Sequence, residues 1–295
     1  MTQHYETASS ITAHMECPRK YYLSYQHGGA GISPITQSDS LFFGKIGHGW
    51  LERYYPDALR PRPFGYDVAK DWLLHLDLPE RKGGAEILQA HIALMDGYRA
   101  HYGADDMEVL GNEEEYQCVT HDGIGLRGKK DLYVRQDGDE WLLDHKFMRF
   151  AQSPKAWQRS PQGVVYAMSE VATGRRPVGI IWNIVRKPDI YKRKEESVEA
   201  WGKRVYDDVQ KRTDFYYKRI PVRYHDDAFV QLRGIIASEY REMKVRVGGA
   251  ADSYRQNLSQ CYGKYGECPY FSVCQTGAIS PSDYRMKLRR HEELA

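Results

Sequence analysis

The sequence predicts an α/β fold in which a helical N-terminal region packs on a sheet. Two observations support this fold class. From about residue 107 the apolar pattern changes from a helical repeat to short alternating runs, which are broken by turn pairs at Asp122-Gly123 and Asp137-Gly138. A helical segment at 154–173 then precedes a continuous apolar run at 178–187, as expected for a buried strand beside a covering helix.

The remaining elements follow from helical patterns at the two ends of the chain. We expect helices at 9–25, 41–55, 84–102, 194–218 and 226–247. Ser9 or Ser10 is the expected N-cap of the first helix, and Pro18 can begin a second helix inside that segment. The Gly-, Ser- and Pro-rich stretches are expected to be loops, at 28–40 and 56–66. The chain thus divides into a helical N-terminal region, a core and a helical C-terminal region, all within one structural domain, at 1–106, 107–190 and 191–295.

The charge of the chain is balanced in total but unevenly distributed. The 295 residues carry 42 Lys and Arg against 40 Asp and Glu, a net charge of +2. Residues 1–148 hold 15 basic and 23 acidic residues, a balance of -8, whereas residues 149–219 hold 16 basic and 8 acidic residues, a balance of +8. A basic stretch of this kind suits contact with phosphates, so nucleic acid is a candidate partner.

Hydropathy excludes two classes of protein at the level of the sequence. No apolar run of about 18 residues is present, so we expect no transmembrane helix and no membrane partner. The N-terminus MTQHYETASS lacks the apolar segment of a secretory signal, which favours a cytoplasmic location where thiols stay reduced.

The Asp137-Gly138 turn predicts a group of charged side chains on one face of a hairpin. If these two residues form the turn, Asp131 lies directly opposite Asp144, and Lys146 projects from the same face. Opposed carboxylates repel each other, and a divalent cation such as Mg²⁺ or Mn²⁺ would remove the repulsion. The other face is expected to contribute to the core through Leu132, Val134, Trp141 and Leu143. An ordinary solvent-exposed pair between Asp144 and Lys146 remains the alternative.

Four short motifs follow one another along the chain. They are Gly44-x-x-Gly47-His48 continuing to Leu51-Glu52, Gly128-Lys-Lys-Asp131, Asp144-His-Lys146 and Gln162-x-x-x-Tyr166. Together they resemble the motifs of the PD-(D/E)XK nuclease superfamily, in its RecB/AddB-like branch. The resemblance covers most of the chain and implies a restriction-endonuclease-like core, with a central mixed sheet flanked by helices.

The resemblance also implies a role for each matching residue. His48, Asp131 and Asp144 would bind Mg²⁺ or Mn²⁺, together with the backbone carbonyl of His145. Lys146 would orient the attacking water and stabilise the developing negative charge. Gln162 and Tyr166 would position the DNA backbone or Lys146. Glu113 matches an acidic position in some relatives, but its neighbours Glu114 and Glu115 leave that alignment open.

The cysteines form a second candidate site. Cys261, Cys268 and Cys274 lie within 14 residues of one another, and Cys17 is the candidate for a fourth ligand. This arrangement is similar to a subset of the same superfamily, including the AddB nuclease domain, CRISPR-adaptation nucleases and phage exonucleases. The similarity implies a [4Fe-4S] cluster that joins the N- and C-terminal parts. A structural Zn²⁺ site is the alternative, and Cys118 is expected to be a buried strand residue.

These observations together predict a metal-dependent DNA nuclease. We expect an exonuclease that acts on single-stranded DNA or on duplex ends in bacterial or phage DNA recombination or repair. A helicase, recombinase or integrase is a candidate protein partner, and no ATP-binding motif is visible in the sequence. The alternative is a non-catalytic DNA-binding accessory subunit of a recombination, replication or CRISPR-adaptation complex.

Overall fold

The computed structural model describes residues 4–57, 63–76, 78, 83–103, 107–150, 152–224, 226–263 and 266–294. Its helices are α1 (Ala8–Glu16), α2 (Pro18–Tyr25), α3 (Asp39–Tyr54), α4 (Tyr66–Leu74), α5 (Gly84–Tyr102), α6 (Pro154–Trp157), α7 (Pro161–Ala172), α8 (Val198–Lys211), α9 (Thr213–Tyr216), α10 (Asp226–Arg246) and α11 (Phe271–Thr276). Its strands are β1 (Ile32–Pro34), β2 (Glu108–Val119), β3 (Gly125–Gln136), β4 (Asp139–Met148), β5 (Gly179–Arg186), β6 (Tyr217–Arg223), β7 (Tyr262–Gly263), β8 (Gly266–Glu267) and β9 (Tyr284–Met286). None of these helices has an apolar stretch long enough to cross a bilayer.

A mixed sheet lies at the centre, with the strand order β2-β3-β4-β5-β6 among the described residues. Of the strands described in this sheet, β4 and β5 run parallel, and the other neighbouring pairs are antiparallel. Helix α7 lies between β4 and β5 in the chain, so these three elements form a parallel crossover unit. Helices cover the sheet and bury an apolar core on each of its faces. The predicted α/β fold with a central mixed sheet is therefore confirmed.

The hairpin of β3 and β4 has the predicted turn and register. Asp137 and Gly138 both have positive φ angles, 52° and 82°, which suits a two-residue turn between twisted strands. Leu132 pairs with Leu143, and Val134 pairs with Trp141. These four side chains join the core on one face of the sheet, as expected, whereas Tyr133 and Leu142 join the core on the other face.

Two of the expected helices differ from the structure. The segment expected to be one helix at 194–218 contains α8 and α9 and then begins β6, an edge strand on which Ile220 and Val222 are buried. The helix expected at 154–173 is two helices, because Pro161 lacks the N–H needed to continue α6 and instead begins α7. The unpredicted β6 completes the sheet on the side of β5.

The N-terminal helix also begins differently from the prediction. Thr7, and neither Ser9 nor Ser10, is the N-cap of α1, and Ser10 lies three positions later, where its hydroxyl accepts the Thr7 N–H. Ser10 is buried, and this capping box gives its hydroxyl a hydrogen-bond partner there. Pro18 begins α2, as the sequence allowed. Within the predicted loop at 56–66, residues 58–62 lie outside the described part of the chain, as do residues 104–106 at the predicted 106/107 boundary.

Candidate active site

The contact between α3 and β4 places His48 beside the hairpin. A Cβ atom added at Gly47 would lie 2.3 Å from two ring carbons of Phe147, so only glycine allows the helix to approach the strand this closely. The next residue, His48, has its Nδ1 atom 3.5 Å from Oδ2 of Asp131. Gly47 therefore determines how near the imidazole comes to the carboxylates.

We predict opposite effects for alanine at the two glycines of this motif. Gly47→Ala should lower the free energy of unfolding by about 1–3 kcal/mol, because the Phe147 ring must move. Gly44→Ala is the matched control on the same helix, since nothing lies within 4 Å of its Cβ position. It should raise stability by about 0.5–1 kcal/mol. Urea unfolding of both variants measures the difference, and a gain in stability for Gly47→Ala would contradict the close contact.

A histidine and two carboxylates form a group that could hold a metal ion. Ligand atoms of His48, Glu113 and Asp131 all lie within 4.8 Å of one another. The Asp131 carboxylate is held in place by the backbone N–H of His145, which donates to its Oδ2 at 2.7 Å. Glu113 also forms an ion pair with Lys129. An imidazole with two carboxylates is a donor set that suits Mg²⁺ or Mn²⁺.

Glu113 reaches this group because strand β2 is irregular. The register of β2 against β3 shifts between Val109 and Gly111, and Glu113 has a positive φ of 51°. Its neighbours Asn112 and Glu114 pair with Leu132 and Lys130, so Glu113 lies opposite Asp131. The sequence alone does not place Glu113 in the ligand set, because three consecutive glutamates give no sign of which side chain faces the hairpin.

The second group of predicted residues lies around Lys146 and joins β4 to α7. The Lys146 ammonium forms an ion pair with Asp144 and donates to Oε1 of Gln162 at 2.9 Å. The amide nitrogen of Gln162 lies 2.9 Å from Asp144 Oδ1 and 2.8 Å from the Tyr166 hydroxyl. Asp144 is 1% exposed, so it is not the solvent-facing residue of the alternative interpretation.

The structure places His145 between the two groups, with its side chain pointing into the core. Its Nδ1 lies 2.8 Å from the Asn183 amide nitrogen, and its ring stacks on Tyr55. Burial lowers the pKa of His145 to about 3, so the ring is neutral at physiological pH. The proposed ligand atom of His145 is its backbone carbonyl, and this role stays a prediction, as do the roles of the other site residues.

Burial sets the protonation of the carboxylates. It raises the pKa of Glu113 to about 7, and the nearby Asp131 charge acts in the same direction. Burial likewise raises the pKa of Asp144 to about 6, although Lys146 opposes this shift. For Asp131 burial is again the largest single influence and disfavours the charge, but the charge and hydrogen bond of His48, together with Lys146 and other neighbours, outweigh it and hold the pKa well below the usual range. Binding of a cation would therefore release protons from Glu113 and Asp144 below neutral pH.

The cysteines of the second candidate site line a single pocket. Cys17 lies between α1 and α2, Cys261 and Cys268 flank the β7–β8 hairpin, and Cys274 lies on α11. The Cys17 sulfur accepts the Asn257 backbone N–H at 3.3 Å. Within the described residues, no three of these sulfur atoms lie within 4.8 Å of one another. Cys118 lies on β2 and is not among the residues that line this pocket.

Comparisons with known proteins agree with this fold. The crystal structure of a candidate exonuclease from Eubacterium rectale is similar over 94% of this chain and 90% of that one, with a TM-score of 0.50 and 13% identity. The crystal structure of SSO0001 covers 81% of this chain and 77% of that one at 9% identity, and its TM-score of 0.29 is too low to support an inference. No curated protein matches the sequence. Residues 7–275 match the family model of the PD-(D/E)XK nuclease superfamily, and the chain therefore belongs to that superfamily.

Proposed function

We propose that this protein is a deoxyribonuclease that depends on Mg²⁺ or Mn²⁺ and hydrolyses phosphodiester bonds at the ends of DNA strands. Its substrates would be single strands or duplex ends. The observation that carries the proposal is the position of the Lys146 ammonium. Lys146 lies on β4, the strand that follows Asp131 in the hairpin, and Asp144 and Gln162 hold its ammonium beside the carboxylates that would bind the metal.

The side chains fit the metal that the family implies. His48, Glu113 and Asp131 would hold the ion, and Asp144 on the neighbouring strand would complete the set. When bound, such an ion lowers the pKa of a water molecule and polarises the scissile phosphate. The raised pKa values of the buried Glu113 and Asp144 carboxylates support this fit, because a bound cation would stabilise their charged forms.

The chain's own residues would orient the water and stabilise the charge that develops on the phosphate. Lys146 is fixed by two partners, so its ammonium needs little rearrangement as negative charge develops. Gln162 contacts Lys146, Asp144 and Tyr166, so it holds the cation in a defined place relative to the carboxylates. Tyr166 fixes Gln162 in turn and donates to the Lys129 backbone carbonyl at 3.3 Å. Gln162 and Tyr166 are thus positioning residues in this proposal.

Digestion of labelled DNA tests the proposal. With Mn²⁺ or Mg²⁺, the protein should release nucleotides or short fragments from linear single strands and from duplex ends labelled at either terminus. Covalently closed circles of the same sequence are the matched control and should persist, since they have no ends. A chelator should stop all cleavage. Equal cleavage of circles would replace the exonuclease with an endonuclease, and no cleavage with any divalent ion would overturn the proposed activity.

We also propose that Cys17, Cys261, Cys268 and Cys274 hold a [4Fe-4S] cluster, with Zn²⁺ as the alternative. The shared pocket supports this, because it brings together one early and three late cysteines, as in the relatives that carry such a cluster. Burial raises the pKa values of Cys268 and Cys274, so free thiolates are disfavoured there and a metal would supply the compensating charge. The role would be structural.

A further inference from the structure

An exposed group of aromatic and basic side chains lies beyond the end of β4. This strand ends at Met148, and Arg149 and Phe150 follow it. The parallel strand β5 ends at the same edge of the sheet, where Arg186 pairs with Met148. The segment after β5 then brings Tyr191 to Arg149. Arg149 and Phe150, which follow β4, thus meet Tyr191, which follows β5. They lie at the edge of the sheet where β4, the strand that carries Lys146, ends.

Arg149 contacts both aromatic rings. Its guanidinium carbon is 5.5 Å from the centroid of the Phe150 ring and 5.7 Å from that of Tyr191. It also donates to the Tyr191 hydroxyl at 2.6 Å and forms an ion pair with Asp189. Phe150 is 55% exposed and Tyr191 is 74% exposed, which is high for large aromatic side chains. We name Arg149, Phe150 and Tyr191 the stacking platform.

The surroundings of the stacking platform are basic. Residues 186–194 contain five basic residues and one acidic residue, Asp189, which is already paired with Arg149. Lys192, Arg193 and Lys194 are exposed next to Tyr191. Flat apolar groups within a positive surface are complementary to nucleic acid, whose bases stack and whose phosphates are negative.

We propose that the stacking platform binds unpaired bases of the DNA strand whose phosphodiester lies at Lys146. This inference rests on the proposed nuclease function. It adds the path that the DNA strand takes across the protein surface. Arg149 is three residues beyond Lys146 and directly follows the end of β4, so the main chain between them spans at most roughly 10 Å. That distance corresponds to about three stacked nucleotides of one strand. The aromatic faces favour single-stranded DNA, because bases in a duplex are already stacked on their neighbours.

Binding of two oligonucleotides separates stacking from charge. One probe is fluorescent dT12, and the other is a strand of the same length with abasic sugars, which keeps the phosphates but has no bases. Binding is measured with Lys146→Met protein, so that the strand is not cut during the measurement. Phe150→Ala and Tyr191→Ala should each weaken dT12 binding by about tenfold and leave abasic binding unchanged. Tyr191→Phe should bind almost normally because it keeps the ring, and Tyr206→Ala, which removes an exposed tyrosine of α8, is the matched control.

The possible outcomes separate the platform from the nuclease proposal. Unchanged dT12 affinity in the Phe150→Ala/Tyr191→Ala double variant would overturn the platform, while cleavage by the wild-type protein would leave the nuclease proposal standing. Loss of dT12 affinity with no cleavage by the wild-type protein would support the platform and overturn the nuclease. If the double variant instead abolishes a dimer seen by ultracentrifugation and leaves dT12 binding intact, the surface is a contact between copies and the platform is wrong.

Discussion

Lys146→Met is expected to slow phosphodiester cleavage by about a thousandfold while the protein stays folded. The variant removes the ammonium that Asp144 and Gln162 hold in place, and methionine retains most of the volume of the side chain. Asp144→Asn should slow cleavage at least as much, because it removes the charge of a proposed metal ligand without changing the shape of the side chain. Single-turnover rates on 5′-labelled single-stranded DNA, with near-UV circular dichroism for folding, measure both variants.

Metal affinity distinguishes the roles of these two residues. By calorimetric titration at pH 8, Lys146→Met should bind Mn²⁺ about as well as the wild-type protein, whereas Asp144→Asn should bind it more weakly. The pKa of Asp144 is raised to about 6 mainly by burial, and Lys146 opposes that rise. Without Lys146 the pKa of Asp144 should be higher still, so the Mn²⁺ affinity of Lys146→Met should fall more steeply than that of the wild type as the pH drops toward 6.

A lysine far from the hairpin is the control for loss of charge. Lys203 on α8 is three-quarters exposed and forms an ion pair with Asp207 at 2.9 Å. Lys203→Met should therefore cleave at the wild-type rate. Full activity of Lys146→Met would remove the central residue of the proposed mechanism, and equal losses in Lys146→Met and Lys203→Met would point to a nonspecific effect of charge.

The hairpin could be predicted from the sequence because its determinants are local. Asp137-Gly138 suits a turn with two positive φ angles, and alternation along β3 and β4 then fixes which residues share a face. Glu113 could not be assigned in the same way. Its position depends on a register shift and on a positive φ angle in β2, and glutamate carries no signal for either.

Contacts between segments that are distant in the sequence could not be predicted either. Lys129 and Lys130 are neighbours, yet Lys129 pairs with Glu113, and Lys130 forms a buried ion pair with Glu170 on α7. This second pair connects β3 to the helix that carries Gln162, and it depends on how α7 packs on the sheet. The strand β6 was missed for a related reason. Its alternation is short, and the charged residues before it continue the helical pattern of α8 until the sheet edge imposes an extended conformation.

Cys17→Ser is expected to abolish binding of the proposed cluster and to lower the melting temperature by about 10 °C. Protein purified without oxygen should be brown from a [4Fe-4S] cluster, and the variant should be colourless. A cluster that joins Cys17 to Cys274 closes a loop of more than 250 residues, which by loop-closure entropy is worth about 5 kcal/mol. For a chain of this size each kcal/mol corresponds to about 2–4 °C.

Other contacts already hold the two ends of the chain together, so the variant should remain folded. Arg290 forms an ion pair with Glu6, β1 pairs with β9, and the Asn257 amide donates to the Glu16 carbonyl at 2.8 Å. These contacts do not involve the cysteines. The hairpin with Asp131 and Asp144 lies on other elements, so Cys17→Ser should still bind Mn²⁺ at that site.

Cys118→Ser is the matched control for the loss of a thiol. Cys118 lies on β2, outside the residues that line the cysteine pocket, so this variant should stay brown and keep the wild-type content of iron. Metal analysis of the wild-type protein determines the outcome. About four iron atoms per chain, lost in Cys17→Ser, would support the cluster, and one zinc with no iron would keep the pocket as a metal site but replace the cofactor. Neither metal in protein made and kept without oxygen would overturn the assignment of these cysteines, and the assignment of Lys146 would be unaffected, because it rests on a separate group of residues.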